Sequence, residues 1–518
     1  MRARTVLTTG CAAACLAAAS VGTAWYSSQS EIYDRFEMNL LDGYVSFSDI
    51  SLPSSNGAAI HIGKITMKNA LSLISSAAAA ENATLQNVAL DTGGAVYRMK
   101  KVEIVGANLT QAQITALFNK NASDPLTKRL AAFSASSVTI PELVIERTIT
   151  NGVRTTTIRD VILREIVNGK AATMTAAGGT LKELADVGTF GAMTAKDLNL
   201  VLIVGLYGED APSDLQPMLS SFSWDSIQLK TDKGGNFRID RITSTDVRMR
   251  AGGLKVVPAK SGDKNTKLRF PATGNVTFSG INMEFPDSSV KNGQHKWAIK
   301  EFVLVADQVR NDVPTALRIA INDWTAGLAV NSQRNDAQQL RDLGYETVKV
   351  SVLLDGAWNE PAKEFNIKEV ALNFTDMGSV ILTGKLGNIT KEMFSGDTAA
   401  MGSAFQGVTA KVLTVSLENK GLYERAVAVQ SKKQGRPPEE IRKQFDAVVS
   451  KTASSMLGNS GNAKTIGKGI TDFLAKPGKL EITAKSKSPG GVPLTDFRSA
   501  GGAPAQSIDK LNITATAK

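Results

Sequence analysis

The sequence predicts an α+β protein dominated by antiparallel strands, with large curved sheets that form a groove or a sandwich and a helical insertion near the C-terminus. Three observations predict it. Apolar residues recur at every second position through much of the chain. The residues between them are mostly Thr, Ser, Asn, Lys and Asp, the mark of half-buried antiparallel sheets. Solid apolar runs, which fully buried parallel strands would need, are not the rule here.

Taken in chain order, the first element is not part of the folded body. Met1–Arg4 carries two positive charges, and Thr5 to Trp25 carries none while being rich in Ala, Val, Leu and Cys. That is the layout of an export signal. This uncharged stretch of 21 residues also suffices to span a bilayer. Arg2 and Arg4 would hold the N-terminus on the cytoplasmic side. The expectation is an inner-membrane protein with a single N-terminal span and its body in the periplasm. The alternative is release into the periplasm after cleavage near Ala24, where Gly22-Thr23-Ala24 supplies small residues. A lipoprotein signal needs a Leu-like residue three before the cysteine, and Thr8 and Ala12 stand there instead. The expected division is 1–26 for signal or anchor, 27–260 for an N-terminal β-rich domain, and 261–518 for a C-terminal β-rich domain containing a helical segment at 421–475.

Within the body, helical patches are expected at Ala70–Asn82, at 110–119 from a Thr110 N-cap, from Asp124-Pro125 to Phe133, and for a turn or two at Thr180–Val187. Polar breaks fall at 255–265, 287–293 and 331–336. In 275–285 the apolar set is Val276 and Phe278, then Ile281, Met283 and Phe285. The slip at Gly280 predicts a bulge or bend. Val348, Val350, Val352 and Leu354 alternate cleanly. A second slip separates Phe365 and Ile367 from Val370, Leu372 and Phe374. Leu413, Val415 and Leu417 alternate, as do Leu480, Ile482 and Ala484. Between these last two strands, 421–435 reads as a helix broken by Arg436-Pro437-Pro438. Pro438-Glu439-Glu440 opens another, with the stripe Ile441, Phe445, Val448 and Val449. A third lies near 465–474. Strands near 480–485 and 508–514 close the chain. The helical group is expected to pack as a cap on a sheet end, with partner binding as its other role.

Composition removes several functions. With 42% hydrophobic and 21% charged residues the chain is of ordinary globular type, so disorder of the whole is excluded. The net charge is +10, of which Arg2 and Arg4 contribute two. The remaining bases are scattered among acids, and no recognition module for nucleic acid is present. The two cysteines, Cys11 and Cys15, both lie in the opening segment, leaving the body no disulfide or thiol chemistry. Only His61 and His295 occur, and His61 sits in an alternating run that points it away from a buried face. No metal-ligand spacing and no nucleophile elbow are found. Ser288-Ser289-Val290-Lys291 matches a nucleophile-base spacing by chance, in a polar loop. Gly458–Thr465 fails as a phosphate loop because Ala463 replaces the second glycine. Acids such as Asp240, Asp246 and Asp355 do not pair in the sequence. No catalytic, cofactor-binding or metal-binding residue is therefore expected.

The residues Leu343-Gly344-Tyr345 leading into Val348–Trp358, Glu418 to Arg425 leading into the helical pair, and Phe473-Leu474, Pro477 and Leu480-Glu481-Ile482 resemble uncharacterised exported proteins of Gram-negative, alphaproteobacterial bacteria. The resemblance covers about the last 180 residues and brings no activity with it. An N-terminal anchor before a long alternating β body is also similar in architecture to AsmA-like envelope proteins, which implies shielding of lipid in an extended β-groove. The resulting expectation is a non-enzymatic envelope protein whose apolar sheet face binds or shields lipid or another hydrophobic partner. The alternatives are a self-covered β-sandwich that assembles with a membrane complex, and a carboxylate-dependent envelope hydrolase. The expected partners are the membrane, lipid and envelope proteins, with no nucleic acid and no cofactor.

Overall fold

In the computed structural model the chain divides into two compact units, 1–257 and 258–518. The structure describes residues 35–39, 44–53, 59–68, 80–91, 96–109, 128, 130–149, 152–205, 215–249, 272–287, 293–311, 313–328, 335–457, 460–497 and 507–518. The expected anchor (1–26), the helix at 110–119, most of the helix from Asp124, the break at 255–265 and Ser288–Lys291 lie outside these residues. Among the described residues no helix is long and apolar enough to cross a membrane. Both units are β-dominated and antiparallel, as the alternation requires.

The first unit is a meander. Strands β1 (Arg35–Asn39), β2 (Tyr44–Pro53), β3 (Ala59–Lys68), β4 (Ala80–Asp91), β5 (Val96–Leu109), β6 (Ala135–Ile149) and β7 (Gly152–Val167) each pair with the next. The long β7 is matched by two shorter strands, β8 (Lys170–Ala176) and β9 (Gly178–Glu183). β10 (Asp186–Phe190) and β11 (Met193–Asn199) follow, then helix α1 (Leu200–Gly205). β12 (Gln216–Lys230) pairs with both β10 and β11, and β13 (Asn236–Met249) completes the order.

Two helical expectations are corrected here. The segment Thr180–Val187 is a two-residue hairpin between β9 and β10, with Leu184 at φ 54° in its turn. Pairing on β7 overrides helix propensity there. Gly179 permits that pairing, since a Cβ there would sit 1.9 Å from the Thr157 carbonyl oxygen. Of the helix expected at Ala70–Asn82, residues 80–82 open β4 instead.

The inward side chains of this unit do not keep to every second residue. In β5 they are Tyr97, Met99, Val102, Ile104 and Ala107. In β6 they are Ala135, Val138, Ile140, Leu143 and Ile145, and in β7 Thr156, Ile158, Val161, Leu163 and Ile166. The steps alternate between two residues and three. Several three-residue steps carry a left-handed residue just before the next inward one: Asn87 in β4, Gly106 in β5, Asp160 and Glu165 in β7, Asp197 in β11 and Ser226 in β12. A left-handed residue inside a strand bends and twists it, so the next side chain reaches the same face one residue late. Pro141 fits the middle of β6 because it faces Asp160, where the ladder skips a pair and no N–H is required. The inward set is sealed from solvent, with Val102, Ile140, Leu143, Ile158, Val161 and Leu163 at 0% exposure.

The second unit is a meander of β14 (Ala272–Asp287), β15 (Gly293–Arg310), β16 (Val313–Gly327), β17 (Thr347–Asn359), β18 (Glu364–Phe374), β19 (Gly378–Gly387), β20 (Thr409–Asn419), β21 (Lys479–Ser486) and β23 (Leu511–Ala517), with the two-residue β22 (Val492–Pro493) beside β20. Gly280 lies at φ 63° at the expected slip in β14, and the expected slip in β18 is a register shift between Ile367 and Val370. Helix α2 (Asn335–Asp342) joins β16 to β17, and α3 (Thr398–Gln406) precedes β20, with Asp397 capping it through the amides of Ala399 and Ala400. Between β20 and β21 run α4 (Leu422–Gln434), α5 (Pro438–Leu457) and α6 (Gly461–Ala475), the helical segment the sequence predicts. α4 is bounded by two left-handed glycines, Gly421 and Gly435, and α6 by Ser460, whose hydroxyl accepts from the Ala463 amide.

Cross-strand charges mark the polar face of this sheet. Lys411 on β20 donates to Glu364 on β18 at 2.9 Å, and Lys385 on β19 stands 3.8 Å from the same carboxyl. The Lys411 hydrogen bond holds the Glu364 carboxyl below the usual glutamate range. A lowered folded-state value stabilises the fold above the ordinary glutamate pKa, and that contribution fades as pH falls through the lowered value. Glu364→Gln is therefore expected to flatten the acid limb of the stability curve, checked by urea unfolding at stepped pH. An unchanged limb would mean that the lysines contribute nothing. The difference between the units is checked in the same way. Leu163→Ala should cost about 2–5 kcal/mol, whereas Leu372→Ala in β18 should cost no more than about 0.5 kcal/mol.

Candidate functional site: an uncovered apolar sheet face

The ladder of the second unit aligns the apolar residues of nine strands into rows, because residues directly opposite one another point to the same face. One row runs Phe278, Phe302, Ile321, Val352, Leu372, Val380, Leu417, Leu480 and Ala517 from β14 to β23. The next runs Val276, Leu304, Ile319, Leu354, Val370, Leu382, Val415, Ile482 and Ala515. Neither row contains a hydrogen-bonding side chain. Nine strands spaced about 4.8 Å apart make each row roughly 40 Å long. Every alternating set singled out in the sequence of this unit lands on this one face.

Little covers it. Leu354, Leu372, Val380 and Val415 remain 39–42% exposed, where equivalent inward leucines of the first unit are at zero. A contiguous uncovered apolar patch of this kind marks an interaction surface. The face is closed at two places. At the β23 side, Phe473 and Leu474 of α6 pack on Leu480 with Ile470, Tyr423 and Val449, and Gly469 lets α6 come down on Ala515. At one end of the strands, Trp358, Val313, Ile389, Phe394 and Val408 form a second cluster with Phe365, Leu386 and Leu494. There the 3-10 turn Lys391–Phe394 stacks Phe394 on Trp358 at 4.5 Å, and the Trp358 indole N–H donates to the Ile389 carbonyl at 2.9 Å.

At the other strand ends the segment before β17 meets α4. The Arg425 guanidinium of α4 lies 4.5 Å over the Tyr345 ring and donates to the carbonyls of Leu343 (3.3 Å) and Gly344 (3.4 Å). Tyr345 donates to the Asp376 carbonyl at 2.9 Å, and Lys433 to Asp342 at 2.5 Å. Burial pushes the Tyr345 phenol above its ordinary value, against the pull of Arg425. These contacts join residues some 80 apart and fix where α4 leaves the sheet. The α4–α5 contact is less complete. The Tyr423 hydroxyl, Arg442 Nε and Asp446 Oδ1 are buried without hydrogen-bond partners, and burial, then the Asp446 carboxylate, raises the Tyr423 phenol.

The other residues weighed in the sequence are not brought together. His61 is exposed on β3, with Ile62 buried beside it, and His295 is exposed on β15 opposite Phe285. Asp240 pairs with Arg238, Asp246 is an exposed left-handed residue in β13, and Asp355 is held by Arg318 and Lys368. Among the described residues no group of His, Cys, Asp or Glu could hold a metal ion. The Gly461–Thr465 part of the rejected phosphate loop forms the first turn of α6.

A family model described as an uncharacterized protein matches residues 371–518, which run from β18 through the helical segment to β23. No curated protein matches the chain.

The Arg425 contacts imply that Arg425→Ala loosens α4. Amide hydrogen exchange over 422–434 should accelerate while β14–β16 stays protected, and uniform protection in the variant would show that Tyr345 and Arg425 do not hold the helix.

Proposed function

We propose that this chain is a non-enzymatic envelope protein, held by its opening segment in the inner membrane with its body in the periplasm, and that the apolar face of the second unit binds or shields lipid. The observation that carries the reading is the pair of nine-residue rows without a polar side chain, exposed along their middle. A protein partner of ordinary kind would meet donors and acceptors, about one hydrogen bond per 100–200 Å2 of interface. Hydrocarbon needs none and gains by leaving water along the whole row. The opening segment supplies proximity to lipid. The sealed core of the first unit fits a scaffold, which is the part of the assembly-partner reading that survives beside this one. A carboxylate-dependent hydrolase has less support, since Asp240 and Asp355 are engaged by cations.

The test is lipid extraction and mass spectrometry of the purified full-length protein, alongside Leu372→Glu/Val415→Lys. Both side chains are partly in solvent, so the pair should fold, as circular dichroism would verify. The wild type should carry hydrocarbon lipid in excess of the variant. Equal lipid in the two proteins would sink the reading.

A further inference from the structure

Helix α5 is held differently from its two neighbours. α4 is fastened at its root by Arg425 and by the Tyr423 amide, which donates to the Asn419 side chain at 3.1 Å. α6 is fastened at its start by Asn462, whose side-chain amide donates to the carbonyls of Ile508 (2.9 Å) and Leu511 (2.8 Å), and further on by the seat of Gly469 on Ala515. α5 packs on these two helices. Its Phe445 stands edge-on to the Tyr423 ring with centroids 6.1 Å apart, and its Val449 joins Tyr423 against Phe473, Leu474 and Leu480. Leu417 and Leu480 of the first row belong to the same cluster, so α5 helps to close this end of the row.

Two features prepare α5 to move as a unit. The first is how its ends are joined. α4 finishes in a closed cap, with Gly435 at φ 65° and the Arg436 amide on the Ser431 carbonyl. Pro437 and Pro438 then bring no N–H that could tie the start of α5 to that cap. Beyond α5, a Cβ on Gly461 would meet nothing within 4 Å. The second feature is the α4–α5 joint. Ile441, fully buried, and Phe445 favour the closed position. The Tyr423 hydroxyl, Arg442 Nε and Asp446 Oδ1, buried there without hydrogen-bond partners, regain water when it opens. Apolar contact and polar desolvation therefore oppose one another across a single joint.

From this we infer that α5 is a lid on the apolar face. It swings off α4 about the Arg436-Pro437 link and Gly461, and bares the end of the rows around Tyr423 and Leu417 to entering hydrocarbon. The inference rests on the lipid-binding reading above and adds how access to the face is controlled. α4 and α6 stay on the sheet throughout, held by Arg425, Asn462 and Gly469.

The experiment compares full-length wild type with two variants. Tyr423→Phe/Asp446→Leu removes two of the three unpartnered atoms and should hold the lid shut. Phe445→Ser removes the ring that closes the joint and should free it. Amide hydrogen exchange is followed over 438–457 and over 461–475, in proteins whose β14–β16 stays protected. Uptake of a pyrene-labelled fatty acid is timed in the same three proteins. In the wild type 438–457 should exchange faster than 461–475. The double variant should slow 438–457 about tenfold and Phe445→Ser should hasten it, with 461–475 unchanged in all three. Uptake should follow the same order, slowest in the double variant. Exchange of 438–457 and 461–475 in step in every protein overturns the lid, because α5 would then open only together with α6. An uptake rate indifferent to both variants overturns it as well. Separate exchange of α5 with no fatty acid taken up by any of the three would sink the lipid-binding reading, and the lid's role with it, while the hinged opening stands.

Discussion

A sheet with an uninterrupted apolar face has to withdraw that face from water, and how it does so decides the character of each unit. The driving force scales with the apolar area removed from solvent. In the first unit the inward side chains of β5, β6 and β7 are sealed. In the second, α6, the Trp358 cluster and the start of α4 cover the periphery of the face and leave its middle wet. The two units therefore use one kind of ladder for different ends, a closed core and an open surface.

The covers of the second unit are attached by different chemistry. The Trp358 cluster is rings and aliphatics with one indole hydrogen bond, and α6 sits on the sheet through Phe473, Leu474 and the close approach of Gly469. The root of α4 is held by a guanidinium over a ring and by two carbonyls. The α4–α5 contact, with the Tyr423 hydroxyl, Arg442 Nε and Asp446 Oδ1 left without hydrogen-bond partners, is the least settled joint of the group. These attachments explain how a helical insertion between two neighbouring strands can lie on the sheet without breaking the ladder from β20 to β21.

Much of the second unit was legible because its strands alternate simply. Val348, Val350, Val352 and Leu354, or Leu480, Ile482 and Ala484, declare a face at once, and Gly280 marks its own bend. The first unit was harder, because its bends fall on Asn87, Asp160, Glu165 and Ser226; Asn and Asp tolerate left-handed backbone, but the chain has many of both and local sequence does not say which of them bend a strand. The hairpin at Leu184 looked helical for want of any view of β7. The site divides in the same way. Alternation tells which side chains share a face, but whether anything lies over that face depends on long-range packing, and so does the meeting of Tyr345 with Arg425.

The two-then-three spacing of the inward residues also limits how these long strands can be misaligned. A plainly alternating strand that slides by two residues still offers an apolar side to its neighbours. β5 does not, since such a slide turns Lys101 inward. Its pattern returns to itself only after five residues, about 17 Å along the strand. In strands of 14 to 16 residues, nearby wrong alignments are therefore penalised and the next tolerable one is far away. The bends at Gly106, Asp160 and Glu165 thus serve as alignment marks along the meander.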